Sequence, residues 1–254
     1  MDLLLNSDER IDDLQCSGYR LIQNTACFCF GMDAVLLSSF AAAKPGDRVL
    51  DLCTGNGVVP ILMHGKNKGI KCAGLEIQTT SAELAKRNVA LNGLENDFEI
   101  VEADVKDAIN IFGASAFNVV TVNPPYMNEN HGIVNPDSAK AIARHELLCT
   151  LEDVVKAAAG CLKVKGHFYM VHRPQRLVQI FEEMLKYKLE PKRMRLVHPY
   201  EDANANMVLI EAVKCGNSQL TVEPPLVVYN KDGSYTEELL KMYGGAGENN
   251  GTDY

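Results

Sequence analysis

Three acids stand at matching places in this chain, each at or just beyond the end of a short apolar or β-branched run. Asp51 lies in Val49-Leu50-Asp51-Leu52 and leads into the turn Cys53-Thr54-Gly55-Asn56-Gly57; Glu76 follows 25 residues on, and Asp104 sits in Glu102-Ala103-Asp104-Val105. In an open α/β sheet, ligands bind at the carboxyl ends of the strands. Gly55 and Gly57 allow a tight turn there and a close approach of backbone to ligand. A dinucleotide site would use GxGxxG to seat a pyrophosphate at the helix N-terminus. Here Pro60 occupies the third glycine position, and Asp51 would repel a phosphate. The same carboxylate suits a ligand that carries a cationic group. Glu76 lies close to the interval at which nucleotide-binding sheets place a ribose-binding acid, whose two oxygens can accept from two hydroxyls.

A second constellation is Asn123-Pro124-Pro125-Tyr126, directly after another β-branched run, Val119-Val120-Thr121-Val122. The side-chain oxygen of Asn123 and the carbonyl of Pro124 can accept the two N–H bonds of a planar amino group. Such a nitrogen is a poor nucleophile because its lone pair is delocalised, and fixed acceptors favour its tetrahedral form as a new bond arrives. Prolines stiffen the turn that aims those acceptors. Tyr126 is placed to stack on a base turned out of its helix or loop.

The turn Asp51-Leu52-Cys53-Thr54-Gly55-Asn56-Gly57 resembles the S-adenosylmethionine (SAM) turn of class I methyltransferases, and SAM brings an α-ammonium and a sulfonium to Asp51. The NPPY tetrapeptide resembles that of methyltransferases acting on N6 of adenine, N2 of guanine or a glutamine amide. With Phe28-x-Phe30-Gly31-x-Asp33, Val171-His172-Arg173-Pro174 and Pro191-Lys192-Arg193 the resemblance extends over nearly the whole chain. The family it resembles is the bacterial tRNA1(Val) (adenine(37)-N6)-methyltransferases, particularly their Gram-positive branch.

That resemblance implies SAM as cosubstrate, S-adenosyl-L-homocysteine as product, no metal, and adenine N6 in RNA, tRNA first, as methyl acceptor. It places cofactor contacts on Phe30, Gly31, Asp51, Leu52, Cys53, Gly55, Asn56, Gly57, Glu76, Ile77, Asp104, Val105 and Asn123. Asp104 falls where the family has an acid at the adenine amino group, and Phe28, Phe30 and Gly31 where related enzymes cover the methionine end of SAM. The catalytic set is Asn123, Pro124, Pro125 and Tyr126.

The elements that must position these residues follow from periodicity. Short apolar runs alternate with amphipathic stretches from Asp47 onward, the pattern of βαβ units and a parallel sheet. Strands are expected over 48–52, 70–76, 98–101, 116–122, 167–171, 193–198 and 207–214, with helices over 57–65, 79–92, 151–162 and 174–186. The short link between the last two strands favours a hairpin, so one antiparallel strand joins the sheet. The expected fold is therefore α/β: a Rossmann-like class I methyltransferase of seven strands, mostly parallel, with helices on both faces. Residues 1–43 read as a cap with a helix near 33–42, 44–216 as the core, and 217–254 as an extension whose last ten residues lack order. The stretch 127–144 is a long polar loop, and Arg144, His145 and Glu146 at its end are placed to order it over substrate.

Composition limits the partners. With 46% hydrophobic residues, 23% charged, and no apolar run of membrane-spanning length, the chain reads as a cytoplasmic globular protein without a secretory leader. Its eight cysteines lack the paired spacing of a zinc site and read as reduced thiols. The net charge of -8 is unevenly distributed: nine Lys/Arg against three acids fall between Cys161 and Tyr200. Such asymmetry can attract phosphates locally, which makes His172, Arg173, Lys192, Arg193 and Arg195 the expected RNA contacts. No membrane and no obligate protein partner is indicated. The rival readings are a protein glutamine N5-methyltransferase, an rRNA guanine N2-methyltransferase, a non-catalytic RNA-binding module and, least fitting, a dehydrogenase.

Overall fold

The computed structural model describes residues 5–25, 30–124 and 149–244. In chain order the elements are β1 (Glu9–Asp13), β2 (Arg20–Asn24), α1 (Met32–Phe40), β3 (Arg48–Leu52), α2 (Val58–Lys66), β4 (Lys71–Glu76), α3 (Thr79–Leu91), β5 (Phe98–Glu102), α4 (Ala108–Phe112), β6 (Phe117–Val122), α5 (Leu151–Cys161), β7 (Leu162–His172), α6 (Leu177–Lys186), β8 (Leu189–His198), β9 (Met207–Lys214), β10 (Thr221–Val222), β11 (Leu226–Val227) and α7 (Glu237–Met242). The main sheet runs β10-β8-β9-β7-β6-β3-β4-β5, with β11 also on β8. Only β9 runs against its neighbours. The seven expected strands are all present, and β10 and β11 extend the sheet to nine by covering the outer edge of β8. At two residues each they are too short to give a periodic signal.

Side-chain alternation along the central strands builds two cores. Val49, Val119, Tyr169 and Val171 face α1, α2 and α3, whereas Leu50, Leu52, Val120, Val122, Phe168 and Met170 face α4, α5 and α6. Both faces of the sheet are thus covered, which is why its strands read as almost continuous apolar runs. Two strands begin earlier than expected. The first residues of β7 include the exposed Lys163, Val164 and Lys165, with Lys165 at φ 64 beside an irregularity in the β6 register. In β8, Pro191 lies at the register shift before Arg193, where a bulge tolerates its missing N–H.

The residues before the core form an unexpected hairpin, β1-β2, in addition to the expected helix. Arg87 on α3 holds Glu9 with both guanidinium ends, at 2.6 and 2.8 Å. Asn88, fully buried on α3, accepts from Ile22 N at 2.6 Å and donates to Ile22 O at 3.1 Å, completing the main-chain bonding of β2 at that point.

A charged cluster fastens the opposite side. Arg193 donates through Nε to Glu211 at 2.7 Å, through Nη1 to Glu223 at 3.0 Å, and through Nη2 to the Phe40 carbonyl at the end of α1 at 3.0 Å. Its guanidinium also lies 4.0 Å from the centre of the Phe40 ring. One side chain therefore joins α1, the β8-β9 pair and the C-terminal extension. Arg193→Ala should lower the unfolding free energy by about 3 kcal/mol, because removing one partner leaves poorly hydrated acids behind. Lys192→Ala should change it by less than about 0.5 kcal/mol. Urea denaturation of both variants checks the contrast.

Candidate active site

The carboxyl ends of β3, β4 and β6 converge on one cleft. In the sheet Asp51 is level with Gly74 and Thr121, and Glu76 lies two residues further along β4. With a side-chain period of two, Asp51, Glu76 and Thr121 share the face turned toward α1 and α2.

Asp51 is 1% exposed, and its Oδ1 accepts from the Thr121 hydroxyl at 2.6 Å. Burial pushes its carboxyl up to about 7, the Thr121 and Thr54 hydroxyls oppose the rise, and the neighbouring Glu76 adds to it. Glu76 is also buried: Oε2 accepts from Gly55 N at 2.9 Å and Oε1 from Gln78 N at 2.9 Å. Each of its oxygens retains capacity for a further donor.

The turn between β3 and α2 is conformationally demanding. Gly57 has φ 84, a left-handed conformation that calls for glycine, while a Cβ there would only come into ordinary contact with the Ala85 Cβ on α3 at 3.4 Å. Cys53 adopts φ 56 without being glycine, strain of the kind found where a loop's shape is set by a site. Asn88 donates to Asn56 O at 2.9 Å, fixing the far side of the turn to α3. Pro60 fits in the first turn of α2, where no intrahelical N–H bond is lost.

Asn123 and Pro124 follow β6 into the same cleft. Asn123 Nδ2 donates to Asp33 Oδ2 on α1 at 2.9 Å, while Asn123 Oδ1 is buried with no hydrogen-bond partner among the described residues. Beside Pro124 a pocket is lined by Cys149, Thr150, Leu151, Val154, His172 and Arg176. His172 closes β7, is 4% exposed, and accepts at Nδ1 from Arg173 N at 2.8 Å. Burial, helped by the Arg176 and Arg173 charges, lowers its pKa to about 4, so it is neutral near pH 7 with its proton assigned to Nε2.

The remaining expected site residues fall as follows. Leu52 and Val105 are buried, so each offers a bound molecule chiefly its backbone, whereas Ile77 is 38% exposed at the cleft edge. Asp104 caps the short turn Val105–Asp107 by accepting from Lys106 N at 2.9 Å. Phe30 and Gly31 lead into α1, with Phe30 N donating to Gln23 Oε1 at 2.9 Å. Phe28, Pro125, Tyr126, the loop 127–144 and Arg144, His145 and Glu146 lie outside the described residues, as do the last ten.

The basic window is divided by the fold. His172 and Arg173 lie at the cleft end of β7, and Arg173 Nη1 donates to Asn206 O at 2.9 Å. Lys163 and Lys165 lie at its other end. Lys192 Nζ donates to Asn217 O at 3.1 Å. Arg193 makes the bonds described above, and Arg195 donates to Pro224 O at 2.9 Å and Glu238 at 2.7 Å. Arg193 is level with Tyr169 and hence with Thr121 and Asp51. Four strand spacings separate it from Asp51, roughly 19 Å. The positive charge read from the sequence is thus no single face: only part of it borders the cleft.

Sequence reasoning did not assign roles to Asp33, Thr121, Asn88 or Gln23. Two carried a visible signal: Asp33 is a lone acid heading the apolar run Ala34-Val35-Leu36-Leu37, and Asn88 interrupts the buried stripe of Ala85 and Val89.

A sheet with one reversed strand, a glycine turn after its central strand, and acids buried at successive strand ends define a SAM-dependent methyltransferase. The family model described as the Methyltransferase small domain matches residues 30–191, and the chain belongs to that family. Among its relatives is the tRNA1(Val) (adenine(37)-N6)-methyltransferase of Porphyromonas gingivalis strain ATCC 33277, 24% identical over 231 residues that span 87% of this chain and 89% of the relative. The Bacteroides thetaiotaomicron protein of the same name is 32% identical over 142 residues, 56% of this chain and 58% of that one. The crystal structure of the predicted O-methyltransferase Atu636 from Agrobacterium tumefaciens superposes with a TM-score of 0.69 at 21% identity, covering 83% of this chain and 95% of that one. At that identity the likeness speaks for the fold alone.

The raised pKa of Asp51 has a consequence for stability. The folded state binds this proton more tightly than the unfolded chain, whose Asp titrates near 3.8, so the contribution of Asp51 to stability falls as pH rises from about 4 to 7. Asp51→Asn removes that dependence. Its Tm relative to wild type should therefore climb between pH 4 and 7 and level off above; a Tm difference independent of pH contradicts the buried ionisation.

Proposed function

We propose that the chain transfers the methyl group of SAM to the exocyclic N6 of an adenine in RNA, with tRNA as the substrate, in the cytoplasm. The observation that carries this reading is the buried, unpartnered Oδ1 of Asn123 beside Pro124 at the cleft end of β6. A buried acceptor without a donor costs about 1–3 kcal/mol, and the N–H of an incoming amino group supplies the missing donor.

The residues fit SAM. Asp51 is an acid whose ionisation is held back by burial, and a cation such as an α-ammonium would favour its charged form. Glu76 would hold the ribose hydroxyls, and Ile77 would lie against the adenine ring, with Asp104 and the Val105 backbone near its edge. The turn from Cys53 to Gly57 and the Phe30-Gly31 segment would enclose the methionine end. Bound SAM supplies an electrophilic methyl: the new N–C bond forms as the C–S electron pair passes to sulfur, and the surplus proton leaves the product nitrogen for water.

The chain's own part is to orient the nucleophile. Asn123 Oδ1 and the Pro124 carbonyl accept the two N6 hydrogens and hold the nitrogen's lone pair toward the methyl. For Pro125 and Tyr126, which lie outside the described residues, the roles come from the sequence alone: Tyr126 would stack on the flipped base and Pro125 would stiffen the turn. His172 and Arg176 line the pocket beside Pro124, where a neutral imidazole and a guanidinium suit a nucleotide, and Arg173 follows at the end of β7. The relatives' name, adenine(37)-N6 in tRNA1(Val), supports the same acceptor. Among Lys192, Arg193 and Arg195, Lys192 retains the most freedom to meet a phosphate, since the two arginines are engaged by acids.

The test is incubation of the purified protein with labelled SAM and, separately, total tRNA, total rRNA and a release factor, followed by nucleoside and amino-acid mass analysis. N6-methyladenosine in tRNA is expected. Label in rRNA guanine or in methylglutamine would keep the amino-nitrogen chemistry and replace the substrate. Asn123→Ala should lower turnover by roughly 10²–10³-fold, as loss of a transition-state hydrogen bond does elsewhere, with SAM affinity by calorimetry little changed.

A further inference from the structure

A carboxamide can be turned by half a revolution about its last side-chain bond with little change in shape, exchanging its oxygen and nitrogen. Only one of the two orientations of Asn123 aims an acceptor at an incoming amino group. Packing alone does not choose between them, but a carboxylate does, because an ionised acid accepts and cannot donate. Asp33, 9% exposed in the first turn of α1, accepts from Asn123 Nδ2 at 2.9 Å, and its own Oδ1 is held by Ala34 N at 3.0 Å. Reversing the amide would press its oxygen against that carboxylate.

The surroundings of Asp33 are built to keep it there. A Cβ on Gly31 would come within 2.8 Å of Asp33 Oδ1. Gly31 has φ -103, a value open to any residue, so what it supplies is space. Just before it, Phe30 N donates to Gln23, itself 2% exposed and bonded through Nε2 to Asp12 across the β1-β2 hairpin. The hairpin, the Phe30-Gly31 entry and the head of α1 thus form one support that ends at the Asn123 amide.

We propose that Asp33 is a positioning residue for methyl transfer: its carboxylate fixes the Asn123 amide with Oδ1 toward the acceptor nitrogen and, by drawing on the amide N–H, makes that oxygen a stronger acceptor. Hydrogen bonds with one ionised partner are the stronger kind, and linked hydrogen bonds polarise one another. The inference rests on the role given above to Asn123. It assigns Asp33 no contact with the reacting atoms, and it gives the N-terminal hairpin a share in catalysis although it contributes no group to the chemistry.

Asp33→Asn tests it with little change in size, since the new amide can donate to Asn123 Oδ1 and let the side chain turn. Single-turnover methyl transfer should fall by roughly 10²-fold, the scale of a misdirected catalytic group. The SAM Kd by calorimetry and the RNA KM should stay within about threefold of wild type, because the loss lies in the transition state. In an Asn123→Ala background, Asp33→Asn should cost less than about twofold more, since it acts through a group already removed. The Asn123 side-chain N–H resonances, assigned by their loss in Asn123→Ala, should move upfield in Asp33→Asn. Gly31→Ala, which crowds the carboxylate without removing it, should lower turnover in the wild-type background but cost less than about twofold more in the Asn123→Ala background, where an effect on the SAM site would persist, and it provides the test if Asp33→Asn does not fold. Wild-type turnover in Asp33→Asn alongside an impaired Asn123→Ala overturns the role of Asp33 alone. Losses that multiply in the double variant overturn it too, by placing the action of Asp33 elsewhere. Full turnover in Asn123→Ala removes the role of Asn123 and this one together.

Discussion

A carboxylate buried at the end of a core strand is costly unless something compensates it, and among the described residues Asp51 has the hydroxyls of Thr121 and Thr54 to do so but no cation, while the neighbouring Glu76 adds to the cost. A strand end designed for stability would carry an apolar residue or an amide at this place. The arrangement around it is spent on keeping the acid where it is: Thr121 on β6 bonds it, and the turn after β3 bends through Cys53, Gly55 and Gly57 at positive φ. Glu76 holds that turn by its backbone, while Asn88 ties it to α3. The sheet order, with β3 between β4 and β6, is what brings these groups level.

The same face of the sheet carries the second constraint, the orientation of Asn123. Here the compensation comes from outside the strands, from Asp33 on a helix ninety residues earlier in the chain. The two acids differ in what they lack. Asp33 has a donor and gives Asn123 a direction, whereas Asp51 is short of positive charge and gives the cleft a preference for a cation. A strong field and an aimed acceptor are thus set side by side before any ligand arrives, which is the form of electrostatic preorganisation that lowers barriers in enzyme sites.

Much of this was legible in the sequence because it is local. Alternation of apolar runs gave the order of strands and helices and the single reversed strand, and the glycine turn and NPPY marked the strand ends that form the cleft. What was not legible depends on long-range pairing. The β1-β2 hairpin is polar on its outer face and is stabilised by Arg87 and Asn88 of α3, so its own residues give little periodic signal. The early residues of β7 and β8 are masked by exposed lysines and by Pro191 at a bulge. The basic window misled in a different way. A count of charges along the chain takes no account of strand direction, and the fold sends Lys163 and Lys165 to the end of β7 away from the cleft while giving Arg193 and Arg195 to acids.

The central claim is that the buried Asp51 carboxylate is there for a cationic ligand, and the pH dependence of SAM affinity tests it most directly. If the ammonium pairs with ionised Asp51, binding below about pH 7 must displace a proton. Calorimetry between pH 5.5 and 7 should then show Kd weakening toward about tenfold for each pH unit of acidification, with proton release to the buffer, and Asp51→Asn should bind weakly without that slope. A wild-type Kd that is flat across this range, or an Asp51→Asn variant that binds as tightly as wild type, would contradict the account.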